Sequence, residues 1–189
     1  GIESVPTSDE IKHFGAAMAS YGSTPLFHIV GITPEAPNLA AVNGTNLPVT
    51  KITDDNLAAL RSDFGAKGER PDVIVFAAPQ LSIVEMGKVS SLVDGQKLKV
   101  PMIVCTSPQT YGDATRMGFV DKIENAGGVV LEGTCFYQQG AKEIGEANGW
   151  VRLLSNSTKI VNILGGYGYK PALASMKDCV AAAINGKIV

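Results

Sequence analysis

Short, continuous apolar runs recur along the chain and predict buried strands. They cover residues 26–30, 73–77, 100–104 and 129–131. His28 is the single polar residue among them. Strands of a parallel sheet covered on both faces read as unbroken apolar runs, whereas half-exposed strands alternate apolar and polar residues. The pattern therefore predicts a parallel sheet buried between two other layers.

Between these runs, apolar residues recur three or four positions apart, which is the spacing of helices. Thr7 and Glu10 form a capping-box pattern that begins one such helix, and Gly22 ends it. Thr53 and Ser175 are the predicted N-caps of two more. The other helices are predicted over 82–93, 110–126 and 157–164, and the closing helix over 176–185.

Alternation of strands and helices predicts the fold class α/β, as a three-layer α/β/α sandwich around a mostly parallel, Rossmann-like sheet. Residues 31–52 are rich in proline and predict the longest irregular segment. No repeat or low-complexity linker divides the chain. We therefore expect a single α/β domain over residues 1–189.

Each predicted strand ends in a loop with small polar or reactive residues. These residues are Thr33 and Glu35 after the first strand, Gln80 after the second, Cys105 and Ser107 after the third, and Thr134 and Cys135 after the fourth. Parallel strands bring their carboxyl ends to one edge, where open α/β sheets bind their ligands. The pattern predicts a functional site at this edge.

Composition narrows the classes of partner. The chain has 189 residues, 45% of them hydrophobic, and a formal net charge of -2. Dispersed charges of this kind give no indication of a nucleic-acid partner. No apolar run approaches the roughly 20 residues of a membrane-spanning helix, and the opening residues do not resemble a secretory signal. We expect no nucleic-acid partner, no membrane segment and a cytoplasmic location.

The three cysteines are widely spaced and odd in number, so a disulfide scaffold is not predicted. Cys135 follows a predicted strand, where a thiolate can act as a nucleophile or as a metal or cluster ligand. A buried structural thiol is the alternative at the same position. Cys105 and Cys179 are interpreted as core residues. No C-x-x-C or paired histidine supplies a second metal-ligand motif.

Further candidates lie in a loop, within a predicted strand and at a helix start. Glu35 lies in a loop where burial could raise the pKa of a carboxyl group, which makes it a candidate acid or base. His28 is either a hydrogen-bonded core residue or a catalytic one. Asn156 and Ser157 begin a helix, as a cap or as a site for a carboxylate or phosphate. Lys159 nearby would strengthen an anion site.

Several of these segments resemble the aconitase X family, in the catalytic part of its large subunit. The most specific stretch is residues 28–37, which follow a Gly-Ala-Ala-Met-Ala-Ser segment at 15–20. The later matches keep the family order along nearly the whole chain. They are Pro71-Asp72, Pro79, Leu81-Ser82, Thr106-Ser107, Thr134-Cys135, Asn156-Ser157, Lys159 and Asp178-Cys179.

The resemblance implies a hydro-lyase that dehydrates a small hydroxy acid, such as cis-3-hydroxy-L-proline or 5-phosphomevalonate. It implies an iron-sulfur cluster that acts as Lewis acid on the leaving hydroxyl, and Cys135 matches one ligand position. Ser107, Asn156, Ser157 and Lys159 would bind the carboxylate or phosphate of the substrate. His28 and Glu35 would be the catalytic residues. The implied partners are the rest of the large subunit, placed before Gly1, and a small swivelling subunit that supplies a serine base.

The sequence departs from the family pattern at two places. Ala78-Pro79-Gln80 stands where members carry Cys-Pro-His, so one thiolate ligand is replaced, and Pro108 stands where an arginine is common. These departures favour an alternative, a non-catalytic homologue that binds small molecules or other proteins. A third hypothesis is a cysteine-nucleophile enzyme that pairs Cys135 with His28.

Overall fold

The computed structural model describes residue 2, residues 4–42 and residues 44–188. A five-stranded sheet forms its centre. The strands are β1 (Val73–Leu81), β2 (Met102–Thr106), β3 (Val129–Glu132), β4 (Arg152–Ser155) and β5 (Lys170–Leu173). They lie in the order β3-β2-β1-β4-β5, and every neighbouring pair is parallel. The prediction of a parallel sheet is confirmed.

Eight helices are seen in the described residues. They are α1 (Ser8–Gly22), α2 (Asp54–Asp63), α3 (Ile83–Val93), α4 (Pro108–Arg116), α5 (Phe119–Ala126), α6 (Ala141–Asn148), α7 (Thr158–Leu164) and α8 (Met176–Asn185). Short 3-10 turns occupy Leu39–Val42, Gly44–Asn46, Phe136–Gln138 and Gly165–Tyr167. None of these helices combines the length and the apolar character that a membrane span requires.

The side chains of each strand alternate between two separate apolar cores. In β1, Ile74 and Phe76 face the core beneath α3, α4, α5 and α8, whereas Val75 and Ala77 face the core beneath α6 and α7. This period of two follows from the pleat of a strand. A sheet buried on both faces gives the three-layer α/β/α sandwich that the sequence predicts.

The prediction of a strand at residues 26–30 is wrong. This segment has no regular structure, and Leu26 is 70% exposed. Phe27 packs edge-on against Phe14 of α1, with ring centroids 4.9 Å apart, so the run covers a helix and not the sheet. Thr33 folds its side chain back onto both main-chain polar groups of Ile29 at 3.1 and 3.2 Å, which closes a turn.

The structure contains two strands and one helix break that the sequence does not predict. β4 and β5 are only four residues long and were not predicted, and Pro171 lies in β5, at the edge of the sheet, where a missing N–H is tolerated. The helix predicted at 110–126 is two helices. Gly118 adopts a left-handed φ of 74° between them, and this conformation ends α4 and redirects the chain.

Candidate functional site

The strand order places a topological switch point between β1 and β4. The chain runs from β1 outward through β2 to β3, then returns to pair β4 with the other side of β1. Because the loops that follow β1 and β4 diverge, a crevice opens beyond their carboxyl ends. The predicted site at this edge therefore has a specific position in the observed fold.

Ser157 joins the two sides of this crevice through hydrogen bonds. Its hydroxyl donates to the carbonyl oxygen of Ala78 and accepts from the backbone N–H of Ile160 at 3.2 Å, which caps α7. Ser155 Oγ accepts from Ser157 N–H at 3.1 Å and donates to the carbonyl of Val75 at 2.7 Å. Ser157 is 1% exposed, so the main role of its hydroxyl is to stabilise the fold.

Asn156, the neighbouring residue, is available to a ligand. It is half-buried and lines a cleft of about 450 Å³ together with residues of α1, α3 and the turn before α8. Its side-chain amide forms no hydrogen bond with any residue that the structure describes. An amide presents one acceptor and two donor positions, so it can hold a carboxylate, a hydroxyl or a phosphate oxygen.

Cys135 follows β3 and is 8% exposed. It belongs to the same apolar core as Cys105 and Ala78. Burial raises the pKa of the Cys135 thiol, although backbone N–H groups and the nearby Lys159 ammonium oppose the increase. Burial also raises the pKa of Cys105 to about 12, with a further contribution from Cys135. Both thiols are therefore protonated at neutral pH.

Ser107 begins α4 at the carboxyl end of β2. Its hydroxyl accepts from Thr110 N–H at 3.1 Å and bonds the Thr110 hydroxyl at 3.0 Å, the arrangement of an N-cap. On the neighbouring strand end, Gln80 donates its amide to the carbonyl of Thr134 at 2.8 Å. The loops after β1 and β3 are therefore joined, while the Thr134 hydroxyl is buried without a hydrogen-bond partner among the described residues.

His28 and Glu35 are exposed on the irregular segment that follows α1. Neither side chain hydrogen-bonds a described residue, and neither lines the cleft that holds Asn156. The expectation that His28 interrupts a buried strand is wrong, because that strand does not form. No described contact joins His28 to Cys135, so the hydrogen-bonded pair that a cysteine nucleophile needs is not seen in this part of the chain.

A cluster that the sequence did not suggest lies beside Asn156. Glu85 is a charged residue that is 3% exposed, in the first turn of α3. Its Oε1 contacts His13 Nε2 at 2.9 Å, while its Oε2 accepts from Lys12 and from the backbone N–H of Ser82. Asp9 completes the cluster through Ser82 Oγ at 3.0 Å and Lys12 at 3.2 Å.

The hydrogen bonds set the charge of this cluster. Burial alone would raise the pKa of Glu85, but hydrogen bonds from His13, Lys12 and Ser82 outweigh it and lower that pKa to about 2. Glu85 is therefore a carboxylate at neutral pH. The Ser-x-x-Glu capping pattern at Ser82 was the sequence signal for this position, whereas nothing local indicated its partners on α1.

The donor side chains that the structure describes do not fit a metal cluster. No group of three or more His, Cys, Asp or Glu side chains within residues 2, 4–42 and 44–188 is arranged to hold a metal ion. Cys135 and Cys105 are two buried, protonated thiols in one apolar core, and Ala78 belongs to the same core. Cys179 lies in the other core, completely buried.

Comparison with known proteins identifies the family. Residues 71–185 match the model of the aconitase X third domain, and residues 1–62 match that of the aconitase X second domain. The crystal structure of holo-form aconitase X from Thermococcus kodakaraensis superposes with a TM-score of 0.80 and 24% identity, over 94% of this chain and 44% of that one.

Two curated relatives illustrate the range of the similarity. The phosphomevalonate dehydratase large subunit of Methanothermobacter thermautotrophicus is 34% identical over 140 residues, which are 74% of this chain and 35% of the relative. The cis-3-hydroxy-L-proline dehydratase of Hypocrea jecorina is 32% identical over 188 residues, which are 96% and 31%. The chain thus spans about a third of the length of these relatives. On the family match over most of its residues, the chain belongs to the aconitase X family.

Proposed function

We propose that this chain is the substrate-binding module of a hydro-lyase that dehydrates a small hydroxy acid, of the cis-3-hydroxy-L-proline or 5-phosphomevalonate class. One observation carries the proposal. Ser157 and Gln80 tie the end of β1 to the loops after β4 and β3, and these loops bear the residues that match the family. Relatives named as dehydratases of those two compounds support the reaction class.

Substrate binding requires a site for an anionic group, since both compounds carry a carboxylate. The unpartnered amide of Asn156 supplies hydrogen bonds. The Lys159 ammonium, which lies near Cys135 and follows Asn156 by three residues, supplies positive charge. The hydroxyl of Ser107 lies at the end of β2, which β1 separates from β4, and can exchange its Thr110 contact for a ligand oxygen. Ser157 acts by holding this turn in place, with its hydroxyl directed to Ala78.

Dehydration also needs a group that removes a proton and one that delivers a proton to the leaving hydroxyl. We propose His28 and Glu35 for these roles, because both are accessible and neither is engaged by another described residue. Neither side chain lines the cleft that holds Asn156, so a partner surface must bring them and the substrate together during the reaction. A small subunit is the proposed partner, since several relatives are named as large subunits.

No reaction step is assigned to an iron-sulfur cluster, because the donors seen in this chain do not fit one. Cys135 is the residue that would contribute a thiolate to such a group. Its raised pKa means that a metal ion would have to displace the thiol proton. The three buried, free thiols are in keeping with the reducing cytoplasm, which is the proposed compartment.

Ala78 favours a second candidate function, a non-catalytic homologue that binds small molecules or protein partners. Its methyl group is 5% exposed and packs in the core that contains Cys135. The thiolate that the family pattern places at this position is therefore absent. In this alternative the cleft still binds a hydroxy acid, but no water is eliminated.

Turnover separates the two functions. The chain is purified anaerobically with its proposed partners, the rest of the large subunit and a small subunit, then assayed on both hydroxy acids and analysed for iron and sulfide. For the hydro-lyase we expect turnover that falls about tenfold or more in Asn156→Ala, as a lost ligand hydrogen bond predicts. Asn148→Ala is the matched control, because this exposed amide on α6 bonds only the Ile144 carbonyl.

Binding without turnover would support the non-catalytic homologue. Iron that stays bound in Cys135→Ser would contradict the proposed metal role of Cys135. Equal turnover in Asn156→Ala and Asn148→Ala would contradict the placement of the substrate beside Asn156.

A further inference from the structure

The cleft beside Asn156 contains a histidine that no family motif identified. His13 projects from α1 and lines this cleft together with Glu85, Lys88 and Ser175. Its side chain is 22% exposed, and its ring contacts the buried carboxylate of Glu85 at 2.9 Å. A partly exposed imidazole held by a buried carboxylate is an arrangement that fixes both the orientation and the proton position of the ring.

The proton position follows from the hydrogen-bond inventory. Glu85 is ionised, because its pKa is lowered to about 2, and a carboxylate can only accept hydrogen bonds. Nε2 of His13 must therefore carry the proton that it shares with Glu85. In the neutral ring, Nδ1 then bears a lone pair, and no described residue forms a hydrogen bond with it. A basic nitrogen of this kind is available to a ligand in the cleft.

We infer that His13 is a ligand-contacting residue of this cleft, with Glu85 as its positioning residue, and that Nδ1 accepts a hydrogen bond from the hydroxyl of a bound hydroxy acid. The ligand class rests on the proposed function, whereas the arrangement of His13 and Glu85 does not. Asn156 lies on the same cleft and offers its amide to the acid group of the ligand. Asp9, Glu10 and Lys88 also line the cleft, and the Lys88 ammonium lies near enough to the Glu10 carboxylate to lower its pKa.

The shared proton can be tested without a ligand. The chain contains only two histidines, His13 and His28, so ring-nitrogen NMR resonances are assigned with one His28→Gln variant. In the neutral ring, we expect His13 to populate the Nε2–H tautomer. An Nδ1–H tautomer in the unmodified chain would overturn the inference.

Glu85→Gln gives a sharper form of the same test. Lys12 and the Ser82 N–H both donate to Oε2 of Glu85. In the variant, these two donors require the oxygen of the new amide at this position. The amide nitrogen then faces Nε2 of His13, which must accept, and the proton moves to Nδ1. We therefore expect this variant to invert the tautomer. Glu10→Gln is the matched control, because Glu10 occupies the same capping-box position in α1 without contacting His13.

Ligand contact is tested with cis-3-hydroxy-L-proline and 5-phosphomevalonate as probes. Binding of either compound should shift the Nδ1 resonance of His13, and His13→Gln should weaken that binding about tenfold, the equivalent of one hydrogen bond. Glutamine places its amide nitrogen where Nε2 lies, so the contact with Glu85 is kept while the Nδ1 acceptor is removed.

The outcomes separate this inference from the proposed function. A probe that shifts the Asn156 amide but not His13, or that binds the His13→Gln variant equally, overturns the role of His13 and leaves the proposed function standing. If neither probe binds the chain, the ligand class and the proposed function are both overturned.

Discussion

The hydroxyl of Ser157 donates to the main-chain carbonyl of Ala78, which fastens the turn after β4 to the end of β1. The same oxygen caps α7 by accepting from Ile160 N–H. Ser157→Ala removes both contacts and leaves a buried carbonyl without its partner. We expect a loss of about 2 kcal/mol in the free energy of unfolding, measured by urea denaturation.

Ser175→Ala is the control for this prediction. Ser175 caps α8 through Asp178, but it is exposed and has no second main-chain acceptor. Its loss should be about 1 kcal/mol, typical of an N-cap. Equal losses in the two variants would mean that the contact with Ala78 contributes nothing to stability.

The lowered pKa of Glu85 predicts that the free energy of unfolding falls in acid. Its pKa is about 2 in the folded chain, against an ordinary value of 4.5. A lowered folded-state pKa contributes stability that is complete above the unfolded value and is lost as the pH falls through the folded value. Between about pH 4.5 and pH 2 we expect a loss of about 3 kcal/mol, on the order of 1.36 kcal/mol per pKa unit. Urea denaturation across this window measures it.

Glu85→Gln should remove this part of the pH dependence, since an amide does not titrate. Glu10→Gln again serves as the control, because Glu10 is a capping carboxylate exposed to solvent. An unchanged slope in Glu85→Gln, compared with the unmodified chain, would contradict the charge assigned to this cluster.

Thiol reactivity tests the environment of Cys135. All three cysteines are free and buried, and burial raises the pKa of each. We expect slow alkylation by iodoacetamide at neutral pH in the native chain, followed by three modifications in denaturant, as counted by mass spectrometry. Cys135 should react first, because it alone retains measurable exposure and has Lys159 nearby. Rapid alkylation would indicate a thiolate and favour the nucleophile hypothesis.

The close packing of Gly145 in the core beneath α6 predicts that a larger side chain at this position destabilises the fold. A Cβ atom at this position would lie 2.6 Å from the hydroxyl oxygen of Tyr169, which donates to the Ala141 carbonyl at 2.7 Å. Gly145→Ala should therefore lower the unfolding free energy by about 1–3 kcal/mol through overpacking. Thermal denaturation provides the measurement.

Gly112→Ala, in the middle of α4, is the matched helical control. Its Cβ would meet only the flexible end of Arg116 at 3.7 Å. The substitution should raise stability by up to about 1 kcal/mol through helix propensity alone. Similar changes of the same sign in both variants would contradict the predicted contact with Tyr169.

Much of the fold could be predicted because its signals are local. Thr7, Thr53 and Ser175 each place a side-chain oxygen where a helix begins, and all three cap the helices predicted after them. The apolar runs at β1, β2 and β3 likewise predicted buried strands that the structure contains. These features depend on residues only a few positions apart.

The errors arose where a distant partner decides the structure. The run at 26–30 is as apolar as β2, but Phe27 packs on Phe14 and leaves its neighbours exposed. β4 and β5 are too short to produce a periodic signal, and β5 also contains Pro171. Their pairing with strands far away in sequence determines that they are strands at all.

The candidate site shows the same division. Asn156 and Ser157 are candidates because they begin a predicted helix. The strand before them, β4, is not predicted, so their place at the functional edge is known only from the structure. The cluster at Glu85 could not be predicted, because 73 positions separate it from Lys12. Capping patterns specify where a helix starts but contain no information on which other helix supplies the charges around it.

The Glu85 cluster also has a consequence for inheritance. Lys12 and His13 belong to the segment that matches the second-domain model, whereas Glu85 belongs to the segment that matches the third. A recombination event that replaced one segment with that of a distant homologue would leave a buried carboxylate without its cations, or cations without their carboxylate. The two segments should therefore descend together, and substitutions at these three positions should be correlated among the lineages that carry them.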